Sequence, residues 1–200
     1  MGIVEYLNNL MEYERPDKEG ISTARSFNCM ITELAPLEEA IACYVANAAV
    51  KMRGQQSVAA KLMVFAQTSQ FVEPSERYAK ETVIWLTSPT NDTATLIKEA
   101  VKGLRRIYIK GYRYQKVGVE LRDLRRDSQI QSAIFEPLAM AKRKKIQQAL
   151  QATDQLNKSY GRDTIRYATM GYEKKWAMRQ EFLSRRYTTR IEDVIIVNAK

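Results

Sequence analysis

The sequence predicts an α+β fold in which two helices cover one face of a four-stranded sheet. Three observations support this prediction: segments with alternating apolar residues, segments whose apolar residues step by three and four, and the order of these segments. The order is strand, helix, strand, strand, helix, strand, the split β-α-β-β-α-β arrangement, over residues 21–125. The second face of such a sheet is left uncovered.

The first half of this unit contains one strand and one helix. Residues 21–32 alternate between apolar and polar positions, as expected of a strand. Pro36 stands at the start of the first helix, whose apolar stripe ends before Gly54. The strand residues expected to point inward are Phe27, Cys29 and Ile31, and those expected outward include Ser26, Asn28 and Thr32.

The second half contains three strands and one helix. Residues 61–68 and 82–87 are apolar runs that predict a strand pair, and Asp92 is expected to cap the second helix. Gly111 follows that helix, and residues 112–121 alternate as the last strand. The exposed side of the helix carries Lys98, Lys102, Arg105 and Arg106, and the outward side of the last strand carries Lys116, Gly118, Glu120 and Arg122.

The segments on either side of this unit have a different character. Residues 1–20 are expected to be a linker from an upstream region, and residues 126–137 a second linker without periodicity. Residues 138–200 begin with a basic helix and include a short strand-like stretch at 164–168. This last region is too small and too charged to fold firmly by itself.

Composition favours an acidic partner. The formal net charge is +9, and it grows toward the carboxy terminus. Such an excess is typical of nucleic-acid-binding proteins, and a basic protein without a bound partner is the alternative. The chain has no histidine and 2 cysteines, which disfavours metal and general-base chemistry and predicts two reduced, buried thiols in a cytoplasmic protein. No apolar run is long enough to cross a membrane.

Several segments, taken in order, resemble the second half of UmuC-type Y-family translesion DNA polymerases. They are residues 24–28, 67–69, 90–92, 111–119 and 160–190, and the runs Tyr114-Gln-Lys-Val-Gly-Val and Tyr187-Thr-Thr-Arg190 are specific to that subgroup. The resemblance covers about residues 10–198. It implies that residues 21–125 are a little finger domain, which grips duplex template-primer DNA.

The same resemblance places the palm and fingers, with the carboxylates that hold magnesium in the parent polymerase, upstream of this chain. We therefore expect a DNA-binding and partner-docking portion of an error-prone polymerase of the SOS response to DNA damage. By itself it would hold no cofactor or metal and would not be an enzyme. The alternative is a free-standing basic nucleic-acid-binding module or regulator without polymerase ancestry.

The expected DNA contacts are polar or cationic positions on the open sheet face and the second helix. Glycine is usual in the family where this chain has Asn28, and a cation is frequent where it has Glu120, so these two positions depart from the pattern. The complete set is Ser26, Asn28, Thr32, Lys98, Lys102, Arg105, Arg106, Tyr114, Lys116, Gly118 and Arg122.

The second linker contains a candidate partner peptide. Gln131-Ser-Ala-Ile-Phe135 resembles the Gln-x-x-Leu-Phe peptide that binds the sliding clamp. The expected clamp contacts are Gln131, Ser132, Ile134 and Phe135. The alternative is that Ile134 and Phe135 only cover the edge of the sheet domain.

The carboxy-terminal run 176–190 mixes aromatic and cationic residues. The resemblance implies docking to a UmuD′ dimer or a RecA filament. The alternatives are a small core for the aromatic residues and a solvated face for the arginines. The expected docking residues are Trp176, Phe182, Arg185, Arg186, Tyr187 and Arg190.

Overall fold

The computed structural model describes residues 17–127, 137–174, 176–177, 184–187 and 191–195. It confirms the predicted α+β class and the β-α-β-β-α-β order, which a third helix follows. The strands are β1 (Ile21–Ile31), β2 (Ser57–Thr68), β3 (Ala79–Thr90) and β4 (Tyr114–Arg126), and the helices are α1 (Leu34–Gly54), α2 (Thr93–Ile107) and α3 (Pro137–Tyr160). Short 3₁₀ helices span Pro74–Glu76, Ala168–Met170 and Ile191–Asp193.

The sheet is antiparallel throughout, with the order β1-β4-β2-β3. One row of paired residues crosses all four strands: Ile21, Leu121, Leu62 and Ile84. All four side chains are buried in the main hydrophobic core. Because side chains alternate along a strand, the neighbouring rows point away from this core.

Helices α1 and α2 cover the buried face of the sheet and contact each other. The α1 side chains that enter the core follow helical spacing from Leu37 to Met52. At the start of α2, the Asp92 carboxylate accepts hydrogen bonds from the backbone N–H groups of Ala94 and Thr95, so the predicted cap is confirmed. Among the described residues, the sheet therefore has one helix-covered face and one face that no element covers.

An irregularity interrupts β1. Ser26 pairs with Lys116 and Ile31 with Tyr114, so four residues of β1 stand opposite Gln115 alone. This surplus breaks the side-chain alternation on which the prediction for Cys29 rested. Phe27 and Ile31 are buried as predicted, but Cys29 is exposed. The predicted burial of both thiols is therefore wrong for Cys29 and right for Cys43.

From α3 onward, described residues pack against the sheet domain. Arg53 of α1 donates to both carboxylate oxygens of Asp154 in α3, at 2.7 and 2.8 Å. Further along, Met170 and Trp176 join the hydrophobic core that the helices share with the sheet. Beyond α3, the chain therefore packs on both β1 and α1, since Trp176 contacts Phe27 and Tyr44.

The strand expected at residues 164–168 is not formed. The side-chain amide of Asn157 pairs with the backbone N–H and C=O of Ile165, at 2.8 and 2.9 Å. These bonds satisfy the Ile165 backbone without a neighbouring strand, and a 3₁₀ helix begins at Ala168. Among the described residues, no helix is long and apolar enough to cross a membrane. Of the predicted linker at residues 1–20, residues 1–16 lie outside the described residues.

Candidate nucleic-acid interface

The sheet face that points away from α1 and α2 is called the open face here. Its central row pairs Ser22 with Glu120, Glu120 with Met63, and Met63 with Val83. The other side chains that share this orientation are Ala24 and Ser26 on β1, Lys61, Phe65 and Gln67 on β2, Glu81 and Trp85 on β3, and Lys116, Gly118 and Arg122 on β4.

The phenyl ring of Phe65 lies over Gly118 in the middle of the open face. A Cβ atom on Gly118 would stand 2.4 Å from Cζ of Phe65 and 2.4 Å from Cβ of Ala24. Gly118 is consequently buried. Gly118 is therefore not available as the predicted DNA contact, because the aromatic ring occupies the space above it.

The charges on the open face partly neutralise one another. Arg122 donates to Glu120 at 2.9 Å, and Lys61 Nζ lies 3.7 Å from an oxygen of Asp123. A hydrogen bond from Arg125 holds the pKa of Asp123 below its usual range. In the described part of the chain, Lys116 forms no ion pair, and its Nζ lies 5.9 Å from the centre of the Phe65 ring. Lys116 is therefore the open-face cation best able to meet a phosphate.

Three of the predicted β1 contacts are accessible. Ser26 is exposed beside Lys116, while Asn28 and Thr32 are exposed in the irregular part and just past the end of β1. The Thr32 carbonyl accepts a hydrogen bond from the Tyr108 hydroxyl at 2.8 Å, which ties this end of β1 to the segment after α2.

Tyr114 was predicted to contact DNA, but the structure places it in the core. It is fully buried, and its hydroxyl accepts from the Ile109 N–H and donates to the Ile109 carbonyl, at 2.8 and 3.2 Å. Its ring stacks on Tyr108 with centroids 5.7 Å apart. Burial raises the pKa of its hydroxyl. Tyr114 closes the end of the core and cannot touch DNA.

The cations of α2 are exposed, but they do not belong to the open face. They lie on the outer side of the helix layer, with the sheet between them and the open face. Lys102 donates to Glu99 at 2.7 Å, and Arg105 donates to Glu38 of α1 at 2.6 Å. The sequence grouped Lys98, Lys102, Arg105 and Arg106 with the open face, and the structure separates the two surfaces.

Trp176, which the sequence predicted as a docking residue, does not lie on the surface. It is buried, with its ring edge-on to Phe27 and Tyr44 at centroid distances of 6.3 and 5.7 Å. The core interpretation therefore holds for this residue, and it cannot be a docking surface. Arg185, Arg186 and Tyr187 are exposed. Phe182, Arg190 and the peptide from Gln131 to Phe135 lie outside the described residues.

Sequence reasoning missed Trp85, which is exposed on the open face at the sheet edge. The sequence feature that could have indicated Trp85 is the run from Val83 to Leu86, where apolar residues occupy both faces of one strand. Such a run normally indicates a strand buried on both sides, whereas β3 is an edge strand covered on one side. Among the described residues, no group of His, Cys, Asp or Glu could hold a metal ion.

The impB/mucB/samB family C-terminal domain matches residues 18–134, which contain every strand and both sheet-covering helices. The chain belongs to this family. A domain of unknown function, DUF4113, matches residues 147–197. Membership in the family removes the alternative of a nucleic-acid-binding module unrelated to UmuC-type proteins.

Curated relatives match along almost the whole chain. The UmuC protein of Salmonella typhimurium is 34% identical over 94% of this chain and 44% of its own length. ImpB of Salmonella typhimurium is 32% identical over 92% of this chain and 43% of its own length, and MucB of Escherichia coli is 30% identical over 95% and 44%. The chain thus spans less than half of the length of these impB/mucB/samB relatives.

Solved structures resemble the chain more remotely. The insertion ternary complex of Dbh DNA polymerase aligns with a TM-score of 0.45 and 12% identity, over 63% of this chain and 37% of the polymerase. A complex of the beta-clamp processivity factor and the little finger domain of PolIV aligns with a TM-score of 0.37 and 18% identity, over 58% of this chain and 98% of that one. Likenesses at this level support no further argument.

Proposed function

We propose that this chain is the DNA-binding, partner-docking C-terminal part of a UmuC-type translesion polymerase, and that its open face contacts duplex DNA. The observation that supports this proposal is the sheet face that no described element covers, in the domain that defines the family match. Ser26 and Lys116 stand side by side at its β1–β4 edge and offer a hydroxyl and an ammonium to a phosphate.

The arrangement favours binding that does not depend on base sequence. A lysine ammonium is a point charge, and a serine hydroxyl is a short donor, so both suit phosphate oxygens better than base edges. Glu81 and Glu120 also occupy the open face and would repel a closely packed phosphate backbone. The number of phosphates bound there is therefore small.

The test is the salt dependence of duplex binding by the full chain, measured by fluorescence anisotropy. Each phosphate neutralised contributes about 0.9 to the slope of log K against log salt. Lys116→Ala should reduce the slope by about that amount. Lys98→Ala is the matched control, because it removes the same charge from the outer side of the helix layer and should leave the slope unchanged.

Equal reductions of the salt slope in the two lysine variants would mean that duplex binding depends only on the net charge of the chain. A reduced salt slope in Lys98→Ala alone would indicate that α2, and not the open face, binds DNA. Either result contradicts the open-face proposal. Strong preference of the chain for one base sequence would contradict the phosphate-based mode of binding.

We also propose that the segment from Gln131 to Phe135 binds the sliding clamp. It lies between the end of β4 at Arg126 and the start of α3 at Pro137, so it joins two folded elements. Ile134 and Phe135 are adjacent, and only one of two adjacent side chains could point inward in an ordinary strand. Both are thus better explained as anchors for an external apolar pocket.

Replacing Ile134 and Phe135 together by alanine should weaken clamp binding by about 2–4 kcal/mol, because paired apolar anchors dominate such contacts. Calorimetric titration with the purified clamp measures this change. Duplex binding and thermal stability of the same variant serve as controls and should stay unchanged. Unfolding of the double variant, or clamp binding equal to that of the parent chain, would show that these residues are core or bystanders.

The exposed Arg185, Arg186 and Tyr187 support a proposal that the C-terminal run docks a protein partner, either a UmuD′ dimer or a RecA filament. Capture of each purified partner by the immobilised full chain tests this. Failure to retain either protein would remove the proposal.

A further inference from the structure

Trp85 has an exposed ring that none of the roles above uses. It lies on the open face of β3, an edge strand, and 73% of its surface is exposed. Its neighbour Ile84 points the other way and is buried. Single exposed apolar residues are common, so exposure by itself indicates nothing about function.

The residues around the ring indicate more specifically what kind of ligand it could bind. Lys61 is the cross-strand partner of Trp85, and its Nζ lies 4.2 Å from the centre of the indole ring. The same Nζ lies 3.7 Å from Asp123, whose carboxylate also accepts hydrogen bonds from Arg125 at 3.2 and 3.3 Å. An ammonium group has three donors, so Lys61 can bind a further anion while it stays beside the ring. An aromatic surface and a cation thus stand next to each other.

A nucleotide offers the complement to both groups, because a base has a flat π face and its phosphate is an anion. In duplex DNA the faces of the bases are covered by their neighbours in the stack. An unpaired base has a free face, and aromatic side chains stack on it whatever its identity. The chemistry beside Lys61 therefore matches an unpaired nucleotide better than a duplex.

The position of Trp85 is compatible with the proposed duplex contact. Ser26 and Lys116 occupy the β1–β4 side of the open face, and Trp85 occupies the opposite edge. From β1 to β3 there are three strand spacings, or about 14 Å. One nucleic acid can therefore contact both edges where its duplex part gives way to a single strand.

We propose that Trp85 is a stacking platform for an unpaired base of single-stranded DNA, with Lys61 binding the adjacent phosphate. The inference rests on the proposed function, in which the open face contacts DNA. It adds a different ligand, single-stranded DNA, and a separate set of residues.

The experiment uses the full chain with two probes, a short oligothymidylate and a blunt duplex. The chain has 2 tryptophans, and Trp176 is only 7% exposed, so quenching of the tryptophan emission by the oligonucleotide reports mainly on Trp85. Trp85→Ala should abolish the quenching and weaken oligothymidylate binding by about 5- to 150-fold. Duplex affinity should stay unchanged.

Two variants complete the design. Trp85→Phe keeps a ring and should lose less affinity than Trp85→Ala, which separates stacking from general damage to the sheet. Phe71→Ala removes another exposed aromatic residue, 89% exposed in the loop between β2 and β3, and should have no effect. Thermal unfolding of each variant confirms that it folds.

The outcomes separate this inference from the proposed function. Unchanged oligothymidylate binding by Trp85→Ala, or equal losses for single strand and duplex, would overturn the stacking platform and leave the duplex proposal standing. Trp85-dependent binding of oligothymidylate without any duplex binding would support Trp85 as a stacking platform and overturn the proposed function. If Trp85→Ala instead abolished only the binding of a protein partner, Trp85 would be a protein contact and the inference would fail.

Discussion

At the residue scale, Gly118 determines how the open face is packed. The space above its Cα holds the Phe65 ring and the Ala24 side chain. Gly118→Ala should destabilise the fold by about 1–3 kcal/mol, since the new methyl group would clash with both of them. Denaturant unfolding measures the loss.

The control for this prediction is Gly54→Ala at the end of α1. A Cβ atom there would meet nothing within 4 Å, so alanine should be neutral or slightly stabilising. In a Phe65→Ala background, Gly118→Ala should destabilise the fold less than it does in the parent chain, because the phenyl ring is then absent. Equal effects of the two single glycine variants would show that backbone freedom, and not the ring, explains the glycine.

The sequence was least informative about aromatic residues. Tyr114, Trp176 and Trp85 are all large rings with a polar atom, and this chemistry suits a core, an interface or an exposed platform equally well. Their positions depend on which other elements pack against their strand or loop. Tyr114 and Trp176 proved to be core, and Trp85 is exposed. Local patterns could not supply that information.

At the element scale, Arg53 joins three helices. Besides binding Asp154 in α3, it donates to the Asn91 carbonyl and the Thr93 hydroxyl at the start of α2, at 3.0 and 2.8 Å. Its side chain is 12% exposed, so solvent screens these bonds little. Arg53→Ala should lower the free energy of unfolding by about 2 kcal/mol, as is typical for hydrogen bonds to a charged group.

The matched control is Arg105→Ala. Arg105 also donates two hydrogen bonds to one carboxylate, that of Glu38, but its side chain is 61% exposed. Because water competes for the groups of such an exposed ion pair, Arg105→Ala should lower the free energy of unfolding much less than Arg53→Ala. Thermal unfolding compares the two variants. Equal losses would mean that Arg53 stabilises no more than a surface ion pair does.

The elements themselves were predictable to different degrees. The order of β1 to β4 with α1 and α2 followed from periodicity, which is a local property of the chain. The irregularity in β1 was not predicted, because Phe27, Cys29 and Ile31 follow strand spacing and only the apolar Met30 departs from it. The contact of α3 with α1 was also missed, since Arg53 and Asp154 are 101 residues apart and no local pattern links them.

At the scale of the whole molecule, the excess of positive charge lies largely away from the open face. Lys61 and Arg122 stand there beside Asp123 and Glu120, while further cations lie on α2 and in the carboxy-terminal region. Net charge alone indicated nucleic acid as a partner but could not indicate where it binds. We expect the +9 charge to attract DNA at long range, with the contacts made by the open face as proposed above.

The packing of Met170 and Trp176 against the sheet domain bears on how these proteins evolve. Two separately defined families, matching residues 18–134 and 147–197, meet in one hydrophobic core. A lineage that lost the second segment would leave Phe27 and Tyr44 without their aromatic neighbour, and one that exchanged it would need a matching α1 surface. Exchange of either segment between distant relatives would therefore have to preserve this aromatic contact to keep the shared core packed.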